Sequence, residues 1–360
     1  MKKIAILLVL IIFYASNTWA QKIDPQVKKE VELMSILARL AGYGEYNDDR
    51  GGRYTADIDS ILRKYRSHEA VKMMKQFKKK YGLGYDRVMS IALQIECRGD
   101  NIVKLDTGKK SISPIGQKET HEFLSALNDF YRTSRFNDFF NTHTDIYELG
   151  LQVFNDSVMA HFDQEWYTRF YGTPPAEQFR IIIGFTNGPC NYGPSRKLTG
   201  QPKEVFAIMN YAVDDNERPI FYKKVVETVV HEFCHSFTKI KGDTEKALEK
   251  SGKALQEYTY FSMRRQAYST WRNILEESLV RAATICYLID HDYDEKDIRN
   301  AIIEQVDRNF FWMPELVQTL RYYESHRKKY PTFTSFYPEI IRFFDRYVTN
   351  MEKEMKKAMK

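Results

Sequence analysis

Val229-Val230-His231-Glu232-Phe233-Cys234-His235-Ser236-Phe237 sets two imidazoles four residues apart, with a carboxylate beside the first. Positions i and i+4 of an α-helix lie on one face, so His231 and His235 can close on a single metal ion while Glu232 points at whatever that ion holds. The chain supplies its own controls. His68-Glu69 and His121-Glu122 carry Lys72 and Ser125 where the second histidine would stand, so only one of three His-Glu pairs is completed. Thr228 and Val229 before the pair, Phe233 and Cys234 inside it and Phe237 after it are uncharged and free of Gly and Pro. A helix buried beneath a metal site requires that pattern, whereas two surface histidines would not. Cys234 falls on the buried side and reads as a small core residue.

Working outward, Phe179–Phe185 is short, apolar and rich in isoleucine, which reads as a buried strand, and Val205–Val213 reads as a second one. Between them Asn187-Gly188-Pro189 and Asn191-Tyr192-Gly193-Pro194 are turn chemistry, and Asp214 to Pro219 breaks the chain before the histidines. A small sheet therefore feeds the metal helix. The 205–213 strand is either an exposed edge on which an extended peptide can pair or an internal strand paired on both sides.

Two histidines do not complete a hydrolytic zinc site, which takes three protein ligands and leaves a position for water. Thr238 and Lys241 occupy the places where a longer motif would have glycine and a third histidine, so a glutamate on a later helix is needed. Helical periodicity over residues 268–289 offers the pair Glu276-Glu277. At 100° per residue both acids flank the apolar stripe of Trp271, Leu275, Leu279, Ala282 and Cys286, on opposite sides, so periodicity does not choose between them.

The N-terminal half reads as a helical layer, with amphipathic segments at 27–42, 57–65, 69–81, 85–93 and 119–131, followed by an aromatic-rich stretch from 136 to 171 that reads as core. His143 and His161 lie in that stretch and could be extra ligands, but a lone histidine among aromatics reads as a satisfied core or surface residue. Helical patterns return at 244–258, 295–308 and 336–351, with a Lys-rich tail from Lys353 expected to fray. At the start, Met1-Lys2-Lys3, an apolar run from Ile4 to Ala15 and Thr18-Trp19-Ala20 have the three parts of a signal peptide over residues 1–20. The expected division is then a helical part over 21–175 and a catalytic domain over 176–350, exported to the periplasm or secreted. No later run is long and apolar enough for a membrane span. Removing Lys2 and Lys3 lowers the formal charge from +6 to +4, without a basic patch of the kind that binds nucleic acid. The four cysteines, Cys97, Cys190, Cys234 and Cys286, have no metal-binding or disulfide-scaffold spacing.

With strands, an H-E-x-x-H helix and a later helix bearing glutamates, the chain resembles the gluzincin class of zinc metallopeptidases. It looks closest to a group of exported bacterial HExxH proteins with an H-E-F-x-H-S-F helix followed by an E-S-L-V-R-A helix. That resemblance implies a zincin-like fold, α+β and mostly helical, with a small sheet packed on the metal helix between helical N- and C-terminal parts. It implies Zn2+ held by His231, His235 and Glu277, with Glu276 outside the ligand set. It also implies hydrolysis of peptide or protein substrates, Glu232 acting on the water that the zinc holds. Tyr268, Tyr260 and Tyr192 are candidate donors to the oxyanion of such a reaction. In one respect the chain departs from the pattern: related enzymes often carry an acid four residues after the ligand glutamate to orient a histidine, and here Arg281 stands there. The competing readings are a binding or scaffold protein that keeps a zinc site without catalysis, and a zinc hydrolase of a non-peptide substrate.

Overall fold

The strand that precedes the metal helix is paired on both sides. In the computed structural model, which describes residues 22–222 and 224–359, three strands form a sheet: β3 (Gln178–Gly184), β4 (Ser195–Lys197) and β5 (Lys203–Asn210). The strand order is β3-β5-β4, parallel between β3 and β5 and antiparallel between β5 and β4. Tyr192 extends the β4 edge, exchanging both main-chain hydrogen bonds with Ile208 at 3.0 and 2.8 Å. The expectation that residues 205–213 could be an open edge is therefore corrected: the strand starts at Lys203, ends at Asn210 and lies in the middle. Its run from Glu204 to Met209 is buried without alternation, because a parallel central strand is covered on both faces.

A second sheet was not anticipated. β1 (Ile95–Arg98) and β2 (Asn101–Lys104) make an antiparallel hairpin around Gly99-Asp100, with Gly99 at φ +56° as such a two-residue turn demands. The rest is helical. Lys29–Leu40 is buried from Val31 to Leu40 and forms the centre of the N-terminal layer. Its Glu32 accepts from Tyr54 Oη within the layer at 3.0 Å and from the main-chain N–H of Phe185 at 2.9 Å, the second of which ties that layer to the loop following β3. Gln26 adds a parallel bridge to Ile182 on the outer edge of β3.

Helices at Glu69–Tyr81, Gln117–Thr133, Gly242–Tyr258 and Glu295–Asp307 fall where periodicity placed them. Met313–Ser325 forms a helix that was not read, and the last helix, Phe333–Ala358, carries on through the tail expected to fray. The aromatic stretch is core as read: Phe139, Phe154, Trp166, Tyr167, Phe170 and Tyr171 are buried. One cluster of buried side chains runs from Ile23 to Val348. The expected signal peptide lies outside the described residues. No helix among the described residues is long and apolar enough to cross a membrane.

Candidate metal centre

The metal helix spans Lys224–Cys234 and buries Val226, Val229, Val230, Phe233 and Cys234. Phe233 stacks on Phe179 of β3, ring centroids 4.2 Å apart and nearly parallel, which sets the helix on the sheet. His235 follows in the turn that continues the last coil. Two main-chain hydrogen bonds hold that turn, Ser236 to Phe233 at 3.1 Å and Phe237 to Cys234 at 3.0 Å, and Phe237 stacks on Tyr171 at 4.1 Å. The i,i+4 geometry of the histidines therefore survives the end of the helix.

Opposite them runs the glutamate helix, Trp271–Asp290, started by Thr270, whose hydroxyl accepts from Asn273 N–H at 3.2 Å. His231 Nε2 lies 3.5 Å from Glu277 Oε1, and His235 Nε2 lies 3.6 Å from Glu277 Oε2. One ligand atom from each of the three residues fits within 4.8 Å of the others, so His231, His235 and Glu277 form a group that could hold a metal ion. Zinc bonds of about 2.1 Å at the tetrahedral angle would put their ends about 3.4 Å apart. The two histidine–carboxylate separations, each to its own oxygen of Glu277, are near that spacing. Glu277 Oε1 is buried between the His231 ring and the Arg281 guanidinium.

Charge and burial prepare the group. Burial holds both imidazoles below the usual histidine range, so they are neutral at pH 7 with lone pairs available, although Glu277 pulls the other way. Burial pushes the Glu277 carboxyl up, but the charges around it, the Arg281 guanidinium among them, pull it below its usual range, and it is ionised. A neutral His pair and a carboxylate are the protonation states that a metal takes.

Arg281 explains the departure seen in the sequence. Instead of an acid orienting a histidine, its Nη2 lies 2.7 Å from Glu277 Oε1 and donates to Tyr268 Oη at 3.1 Å. Its Nη1 donates to Gln305, and its guanidinium carbon sits 5.0 Å from the Phe310 ring centre. Burial, with the Glu277 charge, pushes the Tyr268 phenol up to about 12, so it keeps its proton. Tyr268 thus sits with Arg281 against the Glu277 carboxylate. Tyr192 is buried and stacked on Tyr46, and Tyr260 is exposed and bonded to Arg264. Glu276 is engaged elsewhere: it accepts from Ile240 N–H at 2.9 Å and from Lys239 Nζ at 3.2 Å, fastening the segment that leaves the metal helix.

Glu232 points into a cleft of about 490 Å³ that also includes His231, Asn191 and Arg281. Burial, with the Glu277 charge behind it, pushes its carboxyl up to about 7. Gly193, on the edge of the sheet, lies so close that a Cβ there would collide with the Glu232 carboxylate. Since Tyr192 directs its main-chain groups to β5, those of Gly193 face the other way, out of the sheet.

Residues 23–343 match the family model described as a domain of unknown function, DUF4932. The chain belongs to that family. No curated protein and no solved structure matches it. For this DUF4932 chain the sequence brought forward His231, Glu232, His235 and Glu277, and the fold brings all four together. His143, buried against Asp57 at 3.1 Å, and His161, exposed, lie outside the group that could hold a metal. Burial pushes the Cys234 thiol up to about 12, in keeping with a core residue. Sequence reasoning missed Gly193, Gln305 and Phe310. Gly193 sat in a stretch that already read as turn, and nothing local distinguishes a glycine needed for contact from one needed for a bend.

Proposed function

We propose that this DUF4932 chain is an exported zinc-dependent peptidase. The observation that carries the reading is Glu232: a carboxyl outside the ligand set, adjacent to it, open to a cleft and tuned close to neutrality. A purely structural metal site has no use for such a group. Zinc bound by His231, His235 and Glu277 would supply Lewis acidity and lower the pKa of a water to about 7. Glu232 is placed to take the proton of the attacking water and deliver it to the leaving amine, work suited to a pKa near the operating pH. Arg281, Tyr268 and Gln305 keep Glu277 aimed at the histidines. The outward main-chain groups of Gly193 give an extended substrate a hydrogen-bonding partner beside Glu232, taking the place of the buried strand β5. Export rests on the basic, apolar and small-residue order of residues 1–20.

The deciding experiment measures the metal content of the mature protein and cleavage of a mixed peptide library, with and without chelator, beside Glu232→Gln. The expected result is about one zinc per chain in both proteins, chelator-sensitive cleavage by the wild type, and loss of cleavage in the variant. A zinc-loaded wild type that cuts nothing, or a Glu232→Gln variant that cuts equally well, would reject the reading.

A further inference from the structure

The cleft at the metal group does not end there. From His231 and Glu232 it follows one face of the metal helix back toward Lys224, passing Glu227. The helix Glu295–Asp307 forms the facing wall through Ala301 and Glu304, and the glutamate helix forms the floor through Thr284 and Leu288. A second cavity of about 410 Å³ adjoins the first at Lys224, Glu227, Ala301 and Glu304, which line both, and carries the groove on to Tyr222 and Tyr293. The helix Glu295–Asp307 has no fully buried residue, as expected of an element with open space along one side. The Lys224–Glu304 ion pair, 2.5 Å, crosses the groove near the surface. Exposed pairs of this kind are weak, so a ligand displaces one easily.

We propose that this groove seats the part of an extended polypeptide lying to one side of the bond being cut, over about three residues, so that the substrates are unfolded chain segments and not dipeptides. The proposal rests on the peptidase reading above. Its length follows from the helix, which acts as a ruler. His231 to Lys224 covers about 10 Å at 1.5 Å per residue, and an extended chain advances about 3.3 Å per residue. A dipeptide would leave most of the groove filled only with water, whereas a longer chain covers Ala301 and Leu288 on its way past the ion pair.

Ala301 provides the test, because it lines both cavities and a large side chain there would block the passage between them. Blocked peptides, lengthened one residue at a time from either end from dipeptide to octapeptide, are titrated against zinc-loaded Glu232→Gln protein, which binds without turnover. Affinity is expected to rise by about tenfold or more over the first three added residues on one side and then level off. Ala301→Trp should abolish that gain, Ala301→Leu serving if the larger residue does not fold, while Ile303→Trp on the exposed face of the same helix should leave it intact. An affinity independent of length, or a gain that survives both Ala301 variants, overturns the proposal. Turnover of the same peptides by the wild type separates the two ideas. Cleavage without length dependence sinks the groove and leaves the peptidase, and length-dependent binding without cleavage does the reverse.

Discussion

At the scale of single residues, the choice between Glu276 and Glu277 shows what a helical wheel does and does not decide. Both acids flank the same apolar stripe, and what separates them is the surroundings: the Ile240 N–H and Lys239 claim Glu276, whereas Glu277 faces two neutral imidazoles. Glu277→Ala is therefore expected to lose zinc and all dependent activity. Glu276→Ala should keep most of both, as zinc titration of the two variants will report. Arg281→Gln removes a support of the ligand and leaves the ligand itself, so it should weaken zinc binding by about 10- to 100-fold. Gly193→Ala is the sharper probe of Glu232. Its methyl would displace the carboxylate without touching a ligand, and a shift of about 1 Å costs about 100-fold in rate. The expected outcome is normal zinc content with a large loss of kcat, and unchanged kcat would mean that Glu232 tolerates displacement and is not the base. The His231/His235 pair was legible because its spacing is a property of the helix itself. Residue pattern narrowed the glutamate only to a pair, from which the family resemblance chose Glu277, and Gly193 was not singled out at all, because those roles depend on what lies across space.

Among the elements, those whose partners are local were readable and those with distant partners were not. Glu69–Tyr81 carries its period within itself and was placed to the residue. β5 was recognised as a strand, but its central position is set by β3 and by the Tyr192–Lys197 edge, and that edge is short, polar and interrupted by Pro194. The hairpin of β1 and β2 did have a local signal, Gly99-Asp100 between two four-residue runs, passed over because neither run is strongly apolar. The joint that matters most for the site is the stack of Phe233 on Phe179, which fixes the metal helix to the sheet. Phe233 is fully buried, so Phe233→Ala should destabilise the protein by about 3–5 kcal/mol in urea unfolding. Since the cavity would open directly beneath the histidines, zinc affinity should fall with it. A loss of stability with unchanged affinity would show that the helix holds its place without the stack.

Across the whole molecule, the N-terminal helical layer and the half bearing the metal group are joined in part through one buried acid. Glu32 leaves the helix Lys29–Leu40 and accepts from Phe185 N–H and, at 3.4 Å, the Thr186 hydroxyl, both at the head of the loop that goes on to Gly193, and from the Tyr54 hydroxyl of its own helical layer. Burial outweighs these donors and pushes its carboxyl from the ordinary 4.5 up to about 7. The sign of the consequence is opposite to that of a salt-bridged acid. Because the folded state holds the proton more tightly than the unfolded chain, the contribution to stability is complete below about pH 4.5. It is lost as the pH rises through 7, amounting to about 3 kcal/mol at 1.36 kcal/mol per unit. Glu32→Gln imitates the protonated acid at every pH. The variant should therefore match the wild type in urea unfolding near pH 4.5 and exceed it by up to about 3 kcal/mol at pH 7.5, both measured on metal-free protein so that ligand titration does not intrude. A constant difference across that range would show that the three donors stabilise the carboxylate as fully as water does, and that the link between the two halves is ionised in the folded protein.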